Sequence, residues 1–191
     1  MRKFTNPFNY IAGWTSLLAG AAALAASAVT ASLTGQSFDG FMHIGFAGIS
    51  IWQALVQQIV TWLIFASLLY AAALAASHSA VRALDIYGTN LFARLPIFPM
   101  LAAAPLLGLD LERLSDPAAV GEIITANPAP VAIYGTIVLA LAVCFYWWSY
   151  KAFSVSANLK GAKAVAIFIA CYIVTEIASG PLLRFMNALM R

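Results

Sequence analysis

Charge is what this chain most lacks. Only 9% of its residues are Asp, Glu, Lys or Arg, where soluble domains carry about 25%, so a water-exposed globule is excluded. Histidine and cysteine are equally scarce, with two of each. Cys144 and Cys171 both fall inside apolar stretches, where they could touch but where cysteine normally serves as a small apolar filler. His43 and His78 fall in connections predicted on opposite sides of the membrane, too far apart to share a metal. There is no HExxH, no GxSxG elbow and no Gly-rich phosphate loop. Glu176 is the one acid in mid-stretch, so a carboxylate dyad is excluded as well. The basic residues form no stripe of the kind that grips nucleic acid. These absences point to a non-enzymatic protein without cofactor, metal or nucleic-acid partner.

Apolar length is what remains. Hydrophobic residues make up 63% of the chain, and the mean hydropathy is +0.89. Five apolar stretches run from about Ile11 to Thr34, Trp52 to Ser77, Leu91 to Leu109, Ala129 to Tyr150 and Ala162 to Leu183. A bilayer core about 30 Å thick needs about 20 helical residues, and each stretch is near that length. The expectation is an all-α integral membrane protein, one domain over residues 1–191, with five transmembrane helices. Its first partner is the lipid bilayer.

The charges are sorted by side. Arg2 and Lys3 precede the first span, Arg82 and Arg94 bracket the second connection, and Lys151, Lys160 and Lys163 fill the fourth. The first and third connections hold Arg113 as their one basic residue, beside Asp39, Asp110, Glu112, Asp116 and Glu122. The positive-inside rule then predicts a cytoplasmic N-terminus, and five crossings put the C-terminus outside, with Arg184 and Arg191 against the trend. Arg2 and Lys3 before an Ala-rich run also resemble a signal-peptide opening. Pro7, Phe8, Tyr10 and Trp14 suit a retained interfacial anchor better.

Within the spans, polar and small residues are patterned. Ala19, Ala23, Ser27 and Ala31 recur every four residues, with Ser16 and Gly20 beside them, a spacing that lets helices approach closely within a bundle or between two copies. The apolar first connection, with Phe38 and Phe41, predicts an amphipathic piece on the outer interface, where Asp39 and His43 fall one helical turn apart. Gln53, Gln57, Gln58 and Thr61 form a polar stripe that must face protein or water. Pro96, Pro99 and Pro105 predict a kinked third helix, and Ser115-Asp116-Pro117 a helix start. Phe145, Tyr146, Trp147, Trp148 and Tyr150, followed by Lys151, read as an interfacial aromatic belt. Glu176 and Thr61 share a depth of ~12 to 14 Å at the helical rise, which predicts an intramembrane polar cluster of Gln57, Thr61 and Glu176.

Two connections carry a family resemblance. Val81 to Asp85, Gly88 and Arg94-Leu95-Pro96, running into the third span, are similar to the cytoplasmic connection of the Yip family, the Ypt/Rab-interacting integral membrane proteins with a five-helix domain. Tyr150 to Ser156, Lys160 and Lys163-Ala164 resemble that family's turn between its last two helices. Asn6-Pro7-Phe8 is similar to the opening of bacterial members. The reading that follows is a protein that organises membrane or partner proteins, with Arg82, Asp85 and Arg94 at the cytoplasmic face as the candidate partner-binding residues. Eukaryotic members bind Rab GTPases or one another through a longer cytoplasmic segment. Only about ten residues precede the first span here, which argues against GTPase binding and for a prokaryotic inner-membrane member. The partner is then a second copy or another membrane protein. The competing expectation is a small transporter or channel component with a polar route along Gln57, Thr61 and Glu176.

Overall fold

In the computed structural model the described residues are 5–111 and 113–190, the side chains of Ser115 and Pro117 excepted. Arg2, Lys3, Glu112 and Arg191, which bear on the predicted orientation, lie outside the described residues. Four helices are long and apolar enough to cross a membrane: α1 (Gly13–Leu33), α2 (Ile51–Ala76), α6 (Pro128–Ser156) and α7 (Gly161–Leu189). The surface is the inverse of a soluble protein's. Leu18, Leu139 and Ile177 are exposed, whereas Gln57, Thr61 and Arg94 are buried. Apolar flanks around an interior that mixes apolar packing with buried polar groups mark an all-α, multi-pass membrane protein.

The predicted third span is not one helix. Two ten-residue helices take its place, α3 (Ala83–Phe92) and α4 (Ile97–Leu106), each too short to cross ~30 Å alone. Pro96 is the cause. It has no N–H for the carbonyl of Phe92 and its ring crowds that carbonyl, so the chain tightens there, and Leu95 N–H bonds Phe92 O at 3.0 Å instead. Pro99 falls in the first turn of α4, where a missing donor is harmless.

Direction along the bundle follows from contacts. Gly13 lies by Asp85, Gly20 by Leu91 and Phe92, and Gln36 by Leu101, so α1 and the α3–α4 pair run the same way. Helix α2 opposes them, with Ser67 at Tyr87 and Thr61 at Arg94. Helix α6 also opposes α3, because Trp148 stacks on Phe92 while Ser156 reaches Asp85 O. Helix α7 runs against α2, from Lys163 at Ala76 O to Asn187 at Gln57. One end of the bundle therefore gathers Asn6, Ala76, Asp85 and Lys160; the other gathers Gly35, Pro105 and Asn187.

Two glycines let α1 and α3 touch backbone to backbone. A Cβ on Gly20 would lie 2.6 Å from Phe92 N, and one on Gly88 would lie 2.9 Å from Gly13 O. The small-residue face of α1 that is buried holds Ser16, Gly20, Ser27 and Ala31, with Leu24 and Ala28 between them. Ala19 and Ala23 flank it, half-buried.

The first connection is not an interfacial helix. It forms a small antiparallel hairpin, β1 (Ser37–Phe38) against β2 (Ile44–Gly45), with Ser37 facing Gly45 and Phe38 facing Ile44. Its tip turns into the bundle. Phe38 and Phe41 are each 1% exposed, and the Phe41 ring lies 4.5 Å from Phe65, 5.6 Å from Phe145 and 6.0 Å from Tyr172. Two phenylalanines bury more apolar area between helices than a surface position could. Non-helical backbone is tolerated at this depth because protein surrounds it. Asp39 and His43 are paired across the hairpin, with the Asp39 N–H on His43 O at 2.9 Å and the side chains 3.8 Å apart.

The aromatic belt is likewise divided. Phe145 and Trp148 point inward, while Trp147 is exposed and Lys151 Nζ caps its ring at 4.4 Å. Cys171 belongs to the core and Cys144 packs beside the Phe8–Trp148 cluster, both as free thiols. At the opposite end, Asp116 caps α5 (Pro117–Ala126), accepting from Ala118 N–H at 2.9 Å as the sequence predicts.

Candidate intramembrane polar site

Arg94 stands at the break between α3 and α4, and the break decides its environment. The turn after Phe92 carries it toward α2 rather than to the surface, and it is 3% exposed. Its Nη2 donates to Thr61 Oγ1 at 3.5 Å, and its guanidinium carbon sits 5.1 Å from the centroid of Phe41. Nε and Nη1 have no hydrogen-bond partner. Guanidinium stays charged in essentially any protein setting, so the interior of the bundle holds a cation that is only partly satisfied.

Gln57 ties three elements together. Its Oε1 accepts from Phe38 N–H at 3.0 Å, and its Nε2 donates to Asn187 Oδ1 at 2.8 Å. The hairpin, α2 and the end of α7 are thereby joined through one fully buried amide. Thr61, one turn further along, donates back to Gln57 O at 3.0 Å, which leaves its oxygen free to accept from Arg94. Gln58 is buried too, with its Nε2 unpaired. Gln53 stands outside this network and completes a capping box with Ser50 at the start of α2.

Glu176, on α7, makes no hydrogen bond to Gln57 or Thr61, and its Oε2 is buried without a partner. The backbone of Gly40 lies against it, so close that a Cβ on Gly40 would sit 2.7 Å from Oε1. The hairpin tip thus meets Glu176 at Gly40 and Arg94 at Phe41. Tyr146 on α6 and Tyr172 on α7 are joined through their hydroxyls at 2.7 Å. The ion pairs among the described residues are Asp39–His43, Arg82–Asp85 and Arg113–Glu122. Neither Arg94 nor Glu176 has a counter-charge among them.

The predicted face trio divides in the same way. Arg82 stands at the N-cap position of α3 without a side-chain cap bond, and its Nε lies 3.8 Å from Asp85 Oδ2, at the bundle end that also holds Lys160. Arg94 does not join them, because the length of α3 and the turn after it place it in the interior. No group of three or more His, Cys, Asp or Glu side chains among the described residues could hold a metal.

Three participants escape a reading of the sequence. Gln36 follows the end of α1 and is fully buried, donating to Leu101 O at 2.8 Å. Asn187 supplies the other half of the Gln57 pair. Phe41 supplies the ring beneath Arg94. An amide in so apolar a chain is the one signal available for Gln36 and Asn187, since either needs a partner. Nothing local tells which partner. No family model matches the chain, and no curated protein or solved structure matches it.

Proposed function

We propose that this chain is a Yip-type membrane protein that crosses the inner membrane five times, N-terminus cytoplasmic and C-terminus outside. Its role is to organise membrane or partner proteins through helix packing and its cytoplasmic connections, without catalysis. The filled centre of the bundle carries this reading. Phe41 and Gly40 occupy the space between α2, α6 and α7 that a solute would need. The parallel run of α1 and the α3–α4 pair supports a fifth, broken crossing. Partner contact then falls to Arg82 and Asp85 at the exposed start of α3, with another membrane protein or a second copy as the partner. Rab-type GTPase binding is not part of the reading.

Chemical crosslinking in cells, followed by purification in mild detergent and mass spectrometry, tests it. A protein retained by the native chain and lost from the Arg82→Glu, Asp85→Lys variant is the expected result. A native chain that retains the same proteins as that variant removes the organising role.

One observation favours a second reading, a small transporter or channel component. Ionisable groups inside a membrane are functional by default, and Arg94, at Phe41, and Glu176, at Gly40, both carry unpaired buried atoms against the hairpin tip. Displacing the hairpin tip would open a polar route between them. Proton-coupled flux into vesicles that Glu176→Gln abolishes would establish this reading over the first.

A further inference from the structure

Two cavities on one flank of the bundle share a wall. The first, about 560 Å³, opens at the α6–α7 turn, where Asn6, Asn9, Lys151, Ser154 and Lys160 line it. The second is a groove of about 400 Å³ between α6 and α7, lined by Val143, Tyr146, Trp147, Val165 and Phe168. Tyr150 belongs to both. On α6 the residues Val143, Trp147, Tyr150, Lys151 and Ser154 follow three- and four-residue spacing, so they form one stripe. That stripe runs ~12 Å from Lys151 to Val143 at the helical rise, polar at its end and apolar along its length.

The first cavity carries two cations and no carboxylate. Lys163, the neighbouring lysine, is engaged elsewhere, donating to Ala76 O at 2.8 Å. Asn6 contributes a buried Oδ1 that has no hydrogen-bond partner; being an acceptor, it suits a headgroup hydroxyl and not the phosphate itself. The short 3-10 turn Pro7–Asn9 is pinned there by Phe8, wedged edge-on against Phe92 and Trp148. A ligand that satisfies both cavities needs an anionic head and a hydrocarbon tail.

We propose that this continuous cleft binds one anionic phospholipid, its phosphate between Lys151 and Lys160 and an acyl chain in the groove between α6 and α7. Basic pockets between membrane helices suit such headgroups, and the lipid-facing groove removes the tail from contact with other chains. A free phosphate would use the upper cavity alone. The inference rests on the membrane embedding of the chain and is independent of the organising role proposed above.

Native mass spectrometry of the delipidated full-length protein tests it, with equal amounts of phosphatidylglycerol and phosphatidylcholine bearing the same acyl chains. Phosphatidylglycerol is expected to be retained about 25-fold over phosphatidylcholine, because each near-surface lysine contributes about fivefold. Lys151→Glu with Lys160→Glu abolishes the preference, and Lys163→Glu keeps it. Val165→Trp, which fills the groove, lowers retention of both lipids. Should the double Glu variant lose its cooperative melt, Lys151→Gln with Lys160→Gln serves the same comparison. Equal retention of the two lipids, a preference that survives loss of both lysines, or displacement of the lipid by inorganic phosphate would each overturn the proposal.

Discussion

The side-chain amide of Gln36 donates to the backbone carbonyl of Leu101 at 2.8 Å, across 65 positions of sequence. That carbonyl is the one Pro105, four residues on, has no N–H to reach. The bond therefore repairs a gap that proline opens in α4, and it fastens the end of α1 to the far half of the broken segment.

Replacing Gln36 by Leu leaves the carbonyl unpaired and should cost about 1–3 kcal/mol, read as a lower melting temperature in detergent. Pro105→Ala restores the helical donor. In that background Gln36→Leu should cost much less, and the coupling in the double-mutant cycle measures the repair.

The close approach of α1 and α3 makes a second prediction. Gly20→Val or Gly88→Val forces the two backbones apart, since even a Cβ would meet backbone atoms within 3.0 Å. A loss of about 1–3 kcal/mol is expected for each from overpacking. Ala19→Val, on the half-buried edge of the same helix, is the control and should change stability far less.

Arg94 separates structure from function. A buried charge without a counter-ion costs more than an apolar side chain of similar volume. Arg94→Met should therefore leave the protein as stable or more stable, whereas Arg94→Ala, which also opens a cavity beneath Phe41, should lower the melting temperature. A destabilised Met variant would show that the contacts to Thr61 and Phe41 outweigh desolvation.

Gln57 predicts a local effect. Gln57→Leu removes the bonds to Phe38 and Asn187 together, so hydrogen exchange should quicken in residues 36–45 and at the end of α7. The rest of α2 should exchange as before. Uniform acceleration across the bundle would place the role of Gln57 in global stability instead.

Five crossings predict opposite sides for Ser79 and Ala188, both exposed and at opposite ends of the bundle. Ser79→Cys and Ala188→Cys, in a background with Cys144 and Cys171 replaced by Ala, should label from opposite faces of sealed vesicles. Labelling from one face would require an even number of crossings.

Hydropathy makes four of the helices legible, because lipid demands unbroken apolar length and little else in the chain supplies it. The third stretch is legible in part: Pro96 predicts an interruption, but apolar length alone does not show that α3 begins before the stretch or that the chain breaks fully into two short helices. Distance from the apolar centre puts Arg94 at the surface, yet the turn at Pro96 directs it inward. The hairpin is illegible for a different cause. Phe38 and Phe41 are apolar wherever they sit, and the partners of Phe41, namely Phe65, Phe145 and Tyr172, come from three separate helices. The polar stripe of α2 announces a need for partners without naming them. Depth alone matches Glu176 to Thr61, and depth carries no angle around the helix.

The hairpin also dictates an order of assembly. Tyr172 and Asn187, which close over Phe41 and Gln57, leave the ribosome after the other partners of those two side chains. Until they arrive, Phe41 lacks one wall and the amide of Gln57 lacks its acceptor. Nascent chains halted before α7 should therefore expose the hairpin to protease, because Phe41 and Gln57 are not covered until α7 docks.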